Sequence, residues 1–106
     1  MCYAISLSPR AVHRLATIPK ELLIVAETEL EKLSRDPKKL GRKTVSPPFP
    51  PTIEHIFHFR LRDETEELHY ITVFFLYVDD HKELYITAIT ISPPFLENSE
   101  KISKAI

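Results

Sequence analysis

The 106-residue sequence contains one cysteine, one glycine and no tryptophan. A single thiol, on Cys2, can form neither an internal disulfide nor a cysteine-based zinc site. One glycine, Gly41, cannot build the glycine-rich loop that holds phosphate in nucleotide-binding folds. No apolar run approaches the roughly 18 residues that a membrane-spanning helix needs. These absences exclude a disulfide-stabilised, nucleotide-binding or membrane-spanning protein.

An excess of one charge is also lacking, because 14 Lys and Arg stand against 15 Asp and Glu for a net charge of −1. This balance excludes a general polycation that coats nucleic acid or anionic lipid. The first residues lack the charged start and long apolar stretch of a signal peptide, so we expect a reduced, cytoplasmic setting without membrane contact. Apolar residues make up 43% of the sequence, which is enough for the core of one domain over residues 1–106.

In the first third of the chain, a strand pattern is followed by two helix patterns. Apolar and polar side chains alternate over residues 2–7, which predicts a short strand. Ser8 followed by Pro9 is typical of a helix start and predicts a short first helix. A second helix begins at about Pro19 and keeps apolar side chains at helical spacing until Asp36, which precedes a proline. The two helices are expected to form a hairpin with one apolar seam.

The chain after residue 52 is typical of strands joined by short turns. Apolar and polar residues follow a β pattern in three runs, at residues 56–62, 68–78 and 83–92. The spacers between the runs are short enough for hairpins, which predicts an antiparallel meander. The predicted fold is therefore α+β in the order β-α-α-β-β-β, with an antiparallel sheet and the helical hairpin packed on one face.

Two further segments differ in composition from these elements. Residues 38–52 combine basic residues with a proline-rich stretch, and we expect a loop or stiff connector there. Residues 97–106 are polar and predict a frayed end or a marginal helix. Basic clusters are more often solvated turns than binding surfaces, but this one is a candidate for contact with RNA or another target. Its members are Lys38, Lys39, Arg42 and Lys43.

A first hairpin centred on Thr65 would sort the strand residues onto two faces. In that register Arg60 lies opposite Tyr70 and His58 opposite Thr72, all on one face. The apolar face must be the one that the helices cover, because each large buried side chain contributes roughly 1.5–3 kcal/mol. The expected inward pairs are Phe57 with Val73, Phe59 with Ile71, Phe75 with Ile86 and Val73 with Ala88.

The opposite face is expected to be mixed rather than polar. Its first strand carries cations, and the other strands carry aromatic, aliphatic and hydroxyl side chains: His58, Arg60, Arg62, Tyr70, Thr72, Phe74, Leu76, Tyr85, Thr87 and Ile89. A solvent-facing sheet does not ordinarily carry this much apolar area. We therefore expect a partner on this face, with Tyr70, Thr72, Phe74 and Leu76 as the partner-binding residues.

Five short segments are similar to segments of one known protein family. They are Tyr3-Ala-Ile-Ser-Leu-Ser-Pro-Arg-Ala-Val, Leu15-Ala-Thr-Ile-Pro, Leu33-Ser-Arg-Asp-Pro, Phe75-Leu-Tyr-Val-Asp-Asp and Leu84-Tyr-Ile-Thr-Ala-Ile. Together with the element order, they resemble the RelE/ParE superfamily of bacterial toxins over about residues 3–91. The resemblance implies a toxin component that inhibits translation by cutting mRNA in the ribosome, or replication through DNA gyrase. It also implies a cognate antitoxin protein that keeps the toxin silent.

Metal-independent RNA cleavage needs a base for the 2′-OH, cations for the phosphorane charge and an acid for the leaving oxygen. His58, Arg60 and Arg62 alternate along a strand and therefore project to one face. His58 is the candidate base and the two arginines are the candidate phosphate clamp, with Tyr85 as a further catalytic candidate. The commoner interpretation is that this row is only the solvated face of an amphipathic strand.

Two departures from RelE-like sequences leave the activity open. The later strands lack the Arg residues found there in RelE-like toxins, and the acidic turn at residues 63–67 would repel phosphate. If the chain is an enzyme, we therefore expect a metal-independent endoribonuclease with an atypical site. The alternative is a catalytically inactive RelE-like domain that binds protein or forms a homo-oligomer.

We expect neither a metal nor a cofactor. His55 and His58 lie three residues apart on a strand, so they point to opposite faces and cannot share an ion. The sequence shows no convincing partner for the other histidines, His13, His69 and His81.

Overall fold

The computed structural model describes residues 2–46 and 52–95, which form a five-stranded sheet with helices on one face. The helices are α1 (Pro9–Leu15), α2 (Lys20–Arg35) and α3 (Pro37–Leu40). The strands are β1 (Ala4–Leu7), β2 (Arg42–Ser46), β3 (Thr52–Arg62), β4 (Leu68–Val78) and β5 (Glu83–Ser92). The proline-rich residues 47–51 and the predicted polar tail at 97–106 lie outside the described residues.

The α+β architecture is confirmed, but the sheet is mixed rather than purely antiparallel. Its strand order is β1-β5-β4-β3-β2, in which β2, β3, β4 and β5 pair antiparallel with their neighbours. β1 pairs parallel with β5. Parallel neighbours need a long crossover, and the rest of the chain between these two strands supplies it. The first strand therefore lies at one sheet edge and β2 at the other.

The loop or stiff connector predicted for residues 38–52 is wrong where the structure describes this segment, because most of α3, the whole of β2 and the start of β3 lie there. The Asp36 side chain starts α3 by accepting the backbone N–H of Lys39 at 3.2 Å. Gly41 then joins α3 to β2. A Cβ atom on Gly41 would clash with Cζ of Phe75, so glycine lets the backbone pass directly over this core ring.

The helical hairpin forms as the sequence predicts. The Ser8 hydroxyl accepts the backbone N–H of Ala11 at 3.1 Å and caps α1. On α2 the spacing of Ala26, Leu30 and Leu33 places all three in the core, where they are 0%, 6% and 0% exposed. Charged residues occupy the opposite side of α2 and form exposed pairs within the helix. The apolar side of α2 thus faces the sheet.

The predicted register of the β3–β4 hairpin is confirmed: Arg60 pairs with Tyr70 and His58 with Thr72. The inward pairs Phe57–Val73 and Phe59–Ile71 are confirmed as well. This agreement follows from a turn at residues 63–67, where Asp63 accepts the backbone N–H groups of Thr65 and Glu67. Arg60 is exposed and Phe57 is buried, as the choice of faces requires.

The predicted register of the β4–β5 hairpin is correct at Phe75–Ile86 and wrong beyond it, because Val73 pairs with Ile89 rather than with Ala88. A bulge inserts Thr87 into β5 and shifts the later residues by one.

The bulge is stabilised through the polar groups of Thr87. The Thr87 carbonyl accepts the Ser8 hydroxyl at 2.7 Å, and its own hydroxyl donates to the Phe74 carbonyl at 3.2 Å. As a consequence Ile89, predicted to face outward, is only 4% exposed.

The core lies between the sheet and the helices. Its largest fully buried apolar side chains come from β4, β5 and α2: Phe75, Leu33, Ile71, Leu84, Ile86 and Val73. Among residues 2–46 and 52–95, no helix combines the length and the apolar character that crossing a bilayer requires. None of the helices in the described residues lies on the other side of the sheet, and the candidate site lies there.

Candidate functional site

We call the side of the sheet that faces away from the helices the outward face. Strand register and exposure place on it the predicted residues of three strands: His58, Arg60 and Arg62 on β3, Tyr70, Thr72, Phe74 and Leu76 on β4, and Tyr85 on β5. Ile89 does not belong to this face, since the bulge turns it inward. The outward face is therefore less apolar than the sequence predicts, but it keeps its aromatic and cationic groups.

His58 is oriented by a neighbouring strand. Its Nδ1 lies 3.0 Å from the hydroxyl oxygen of Thr72, the residue directly opposite it on β4. When Nδ1 donates this hydrogen bond, Nε2 is the basic nitrogen, and the exposed ring presents it to solvent. The geometry thus allows His58 to accept a proton from a molecule on the outward face.

The two arginines of the row differ in what they contact. Arg62 donates to the backbone carbonyl of Glu66 at 3.0 Å and lies 3.6 Å from its carboxylate. Arg60 makes no hydrogen bond or ion pair with any residue in the described part of the chain. Its guanidinium can therefore bind an incoming anion without first giving up another partner.

The two candidate tyrosines lie at different places on the outward face. Tyr70 pairs directly with Arg60, and 54% of its surface is exposed. Tyr85 pairs with Leu76, so it is two strands away from His58 and four residues further along. These steps correspond to about 10 Å across the strands and about 13 Å along them. Tyr70, and not Tyr85, is the phenol that the fold brings to the cationic row.

One member of the predicted basic cluster, Lys38, has an acidic partner. The Lys38 amine forms an ion pair with Asp79 in the turn after β4, and the Tyr3 hydroxyl donates to the same carboxylate. The Lys38 amine, followed by the Tyr3 hydroxyl, holds the pKa of Asp79 below its usual value. In return, the hydrogen bonds to Asp79 raise the pKa of both Lys38 and Tyr3. The ion pair of Lys38 thus links α3 to the turn after β4.

The other members of the cluster lie on α3 and β2. Lys39 is exposed on α3. Arg42 is exposed and pairs with Ile56, two residues before His58, so it extends the cationic row onto β2. Lys43 pairs with His55 in the next position of β2, and its side chain lies outside the description.

The half of the outward face formed by β4 and β5 has no cations, because neither strand contains Lys or Arg. Its exposed large side chains are apolar or aromatic: Tyr70, Leu76, Val78 and Tyr85 are 54%, 39%, 47% and 42% exposed. The outward face is thus divided into a cationic part on β3 and an apolar part on β4 and β5. Such an apolar surface is typical of a protein contact.

His69 is a polar group that sequence reasoning missed, since the expectation that it lacks a partner is wrong. It is 1% exposed, with Nδ1 2.6 Å from the Pro93 carbonyl and Nε2 2.8 Å from the Asp63 carboxylate. The hydrogen bond from His69, followed by that from the Thr65 hydroxyl, holds the pKa of Asp63 well below its usual value. The alternation that buries Ile71 also places His69 inward, and this was the available signal.

Solved structures share this arrangement of a mixed sheet and helices. One is a chain of the toxin–antitoxin complex RelBE2 from Mycobacterium tuberculosis, with a TM-score of 0.57, 19% identity, and coverage of 84% of this chain and 96% of that chain. Another is an arginine-to-alanine double mutant of the Escherichia coli toxin RelE in the free state, with a TM-score of 0.56, 13% identity, and coverage of 99% and 95%. No protein-family model and no curated protein matches the sequence. The chain therefore has the RelE fold.

Proposed function

We propose that the chain is the toxin component of a toxin–antitoxin pair and that it acts on its target through the outward face. One observation carries this proposal: on a RelE fold, the side of the sheet that faces away from the described helices bears an exposed row of His58, Arg60 and Arg62. Burial does not require these cations there. Their position is explained if the row binds a target.

Between translation and replication, the geometry favours RNA cleavage. His58 Nε2 would take the proton of a ribose 2′-OH, whose oxygen then attacks the adjacent phosphorus. Arg60, which has no partner within the described residues, would bind the phosphorane oxygens, with Arg62 beside it. As the bond from phosphorus to the 5′-oxygen breaks, the neighbouring Tyr70 would supply a proton to the leaving oxygen. The products would be a cyclic phosphate and a 5′-hydroxyl.

The apolar half of the outward face supports a protein partner as well. The RelBE2 structure is a complex of a toxin with an antitoxin. For this chain we propose a cognate antitoxin that covers Tyr70, Leu76 and Tyr85, and a site of action in the cytoplasm. Covering these side chains would remove apolar area from water and would also block the adjacent cationic row.

A second function has its own support. Because β4 and β5 carry no Lys or Arg, the phosphate clamp would depend on β3 and β2 alone. A catalytically inactive relative that binds protein through the apolar half, with a second copy of the chain as one candidate partner, would need no further cations. Such a protein would leave cell growth unaffected.

Induced expression in a bacterial host separates these functions. We expect the wild-type chain to arrest growth and to produce new mRNA 5′ ends in primer-extension maps. His58→Gln removes the basic nitrogen and should abolish both effects, while His81→Gln, an exposed histidine in the turn after β4, should retain both. The melting temperatures of both variants should match that of the wild type, which excludes misfolding.

Other outcomes contradict the proposal at defined points. Growth arrest with unchanged mRNA ends, together with loss of DNA supercoiling by gyrase, would replace RNA cleavage by an action on replication. Normal growth with abundant folded wild-type protein would refute toxicity and favour the protein-binding relative.

A further inference from the structure

A second cluster of polar side chains lies at the end of the β3–β4 hairpin, away from the cationic row. Asp63, Glu67 and His69 each direct one nitrogen or oxygen to the same place, and these atoms all lie within 4.8 Å of one another. We call this group the hairpin cluster. Because His69 pairs with Leu61 on the helix-covered side of the sheet, the cluster is separate from the outward face.

The hydrogen bonds of His69 hold its Nε2 against a carboxylate of Asp63. The Pro93 carbonyl can only accept, so Nδ1, 2.6 Å away, must carry a hydrogen. Nε2 lies 2.8 Å from a carboxylate oxygen of Asp63, the distance of a hydrogen bond with a proton between the two atoms. A metal ion would replace this proton once the two atoms move slightly apart, because each ligand of zinc lies about 2.0–2.2 Å from the ion.

The same geometry is the one by which proteins orient metal-binding histidines. A metal-bound imidazole ordinarily donates its other N–H to a backbone carbonyl or carboxylate, which fixes the tautomer and the ring. Here Pro93 accepts that hydrogen bond, and the Phe95 ring stacks on His69 with centroids 3.9 Å apart. Nε2 is thus held in one direction before any ligand arrives.

The two carboxylates are suited to complete the site. One oxygen of Asp63 accepts the N–H groups of Thr65 and Glu67, which leaves its second oxygen directed at His69. Glu67 lies 3.9 Å from Nε2, too far for a hydrogen bond, and its side chain is 60% exposed. Glu67 can therefore approach an ion from the solvent side while Asp63 and His69 hold it from within.

We propose that Asp63, Glu67 and His69 bind one divalent transition-metal ion of the zinc type, with water as the fourth ligand. One imidazole nitrogen and two carboxylate oxygens form a ligand set that zinc accepts in tetrahedral geometry. Calcium and magnesium prefer oxygen-only sites, so the imidazole argues against them. With neutral His69, the two carboxylate charges balance the ion. This inference replaces the expectation from the sequence that no metal binds.

Binding of an ion would tie two distant parts of the chain together. Asp63 and Glu67 belong to the turn between β3 and β4, whereas Pro93, which holds His69, follows β5. An ion that fixes His69 would therefore fasten the hairpin end to the segment after the last strand. It would act as a structural link and take no part in the proposed RNA chemistry.

The test is calorimetric titration of the full chain, without an affinity tag and after chelation, with Zn²⁺. We expect one ion per chain, a higher melting temperature, and the intense visible absorption of tetrahedral Co²⁺ when cobalt replaces zinc. Glu67→Gln should weaken Zn²⁺ binding about tenfold or more. The matched control is Glu66→Gln, which removes a charge from the same turn. Among the described residues the Glu66 carboxylate pairs only with Arg62, and the backbone bond from Glu66 to Asp63 is kept, so the affinity should stay within about twofold.

Three results would overturn the proposal. The first is absence of stoichiometric binding for Zn²⁺, Co²⁺ and Ni²⁺, which would identify a proton as the cation between Asp63 and His69. The second is an equal loss of affinity in Glu66→Gln and Glu67→Gln, which would indicate general attraction to an acidic turn. The third is undiminished binding in His69→Asn that is still folded by circular dichroism.

Discussion

The two faces of the sheet are made by the same strands and differ in what determines their residues. Toward the helices, Val73 and Phe75 are 0% exposed and Ile71 is 1% exposed. On the outward face, Tyr70 and Leu76 of the same strand are 54% and 39% exposed. Packing explains every side chain of the first group, because each loses contact with water in the core. Core packing does not explain the second group, which belongs to the face for which we propose a function.

The largest expected effect comes from substituting neighbouring phenylalanines that face opposite ways. Phe75→Ala should lower the free energy of unfolding by about 3–5 kcal/mol, because it leaves a cavity in the core. Phe74→Ala, one residue earlier and half-buried on the outward face, should cost only about 1–2 kcal/mol. Urea denaturation measures both. Equal losses would mean that the two faces do not differ as described.

A smaller effect concerns a polar pair on the helix-covered side of the sheet, Asp63 and His69. Because the folded state holds the pKa of Asp63 well below its usual value of about 3.9, the carboxylate stabilises the protein above that pH. This contribution is lost as the pH falls from about 4 toward the lower pKa of the folded state. Asp63→Asn keeps an oxygen for the turn but loses the charge.

The measurement is the free energy of unfolding between about pH 2 and pH 7 in wild type and Asp63→Asn. The variant should be less stable at pH 7, and its stability should fall less steeply below about pH 4. The same acid slope in both proteins would show that Asp63 is not held as the structure indicates.

Local pattern was enough to predict one face of the sheet but not its edges. The short turn around Thr65 sets the register of the β3–β4 hairpin, so Arg60 and Tyr70 could be paired from the sequence. The parallel pairing of Ala4 with Glu83 joins residues far apart in the chain, and no local signal encodes it. The bulge at Thr87 was missed for the same reason, since Ser8 stabilises it from α1.

Part of the candidate site could also be predicted from the sequence. Alternation along β3 placed His58, Arg60 and Arg62 on one side without knowledge of the other strands. Distances between strands depend on the whole sheet, which is why Tyr85 was grouped with a row from which the fold separates it. His69 shows the same limit, because its partner Pro93 lies beyond another strand.

The central claim is that the outward face, and not the helical side, is the working surface. The most direct test is the growth of induced cells that express Arg60→Ala/Arg62→Ala or, as a matched pair on exposed positions of α1, Arg10→Ala/Arg14→Ala. Both variants should keep the stability of the wild type within about 0.5 kcal/mol, as exposed substitutions ordinarily do. We predict that cells with the first variant grow normally and cells with the second stop growing. Growth arrest by a folded Arg60→Ala/Arg62→Ala protein, equal to that of the wild type, would contradict the account.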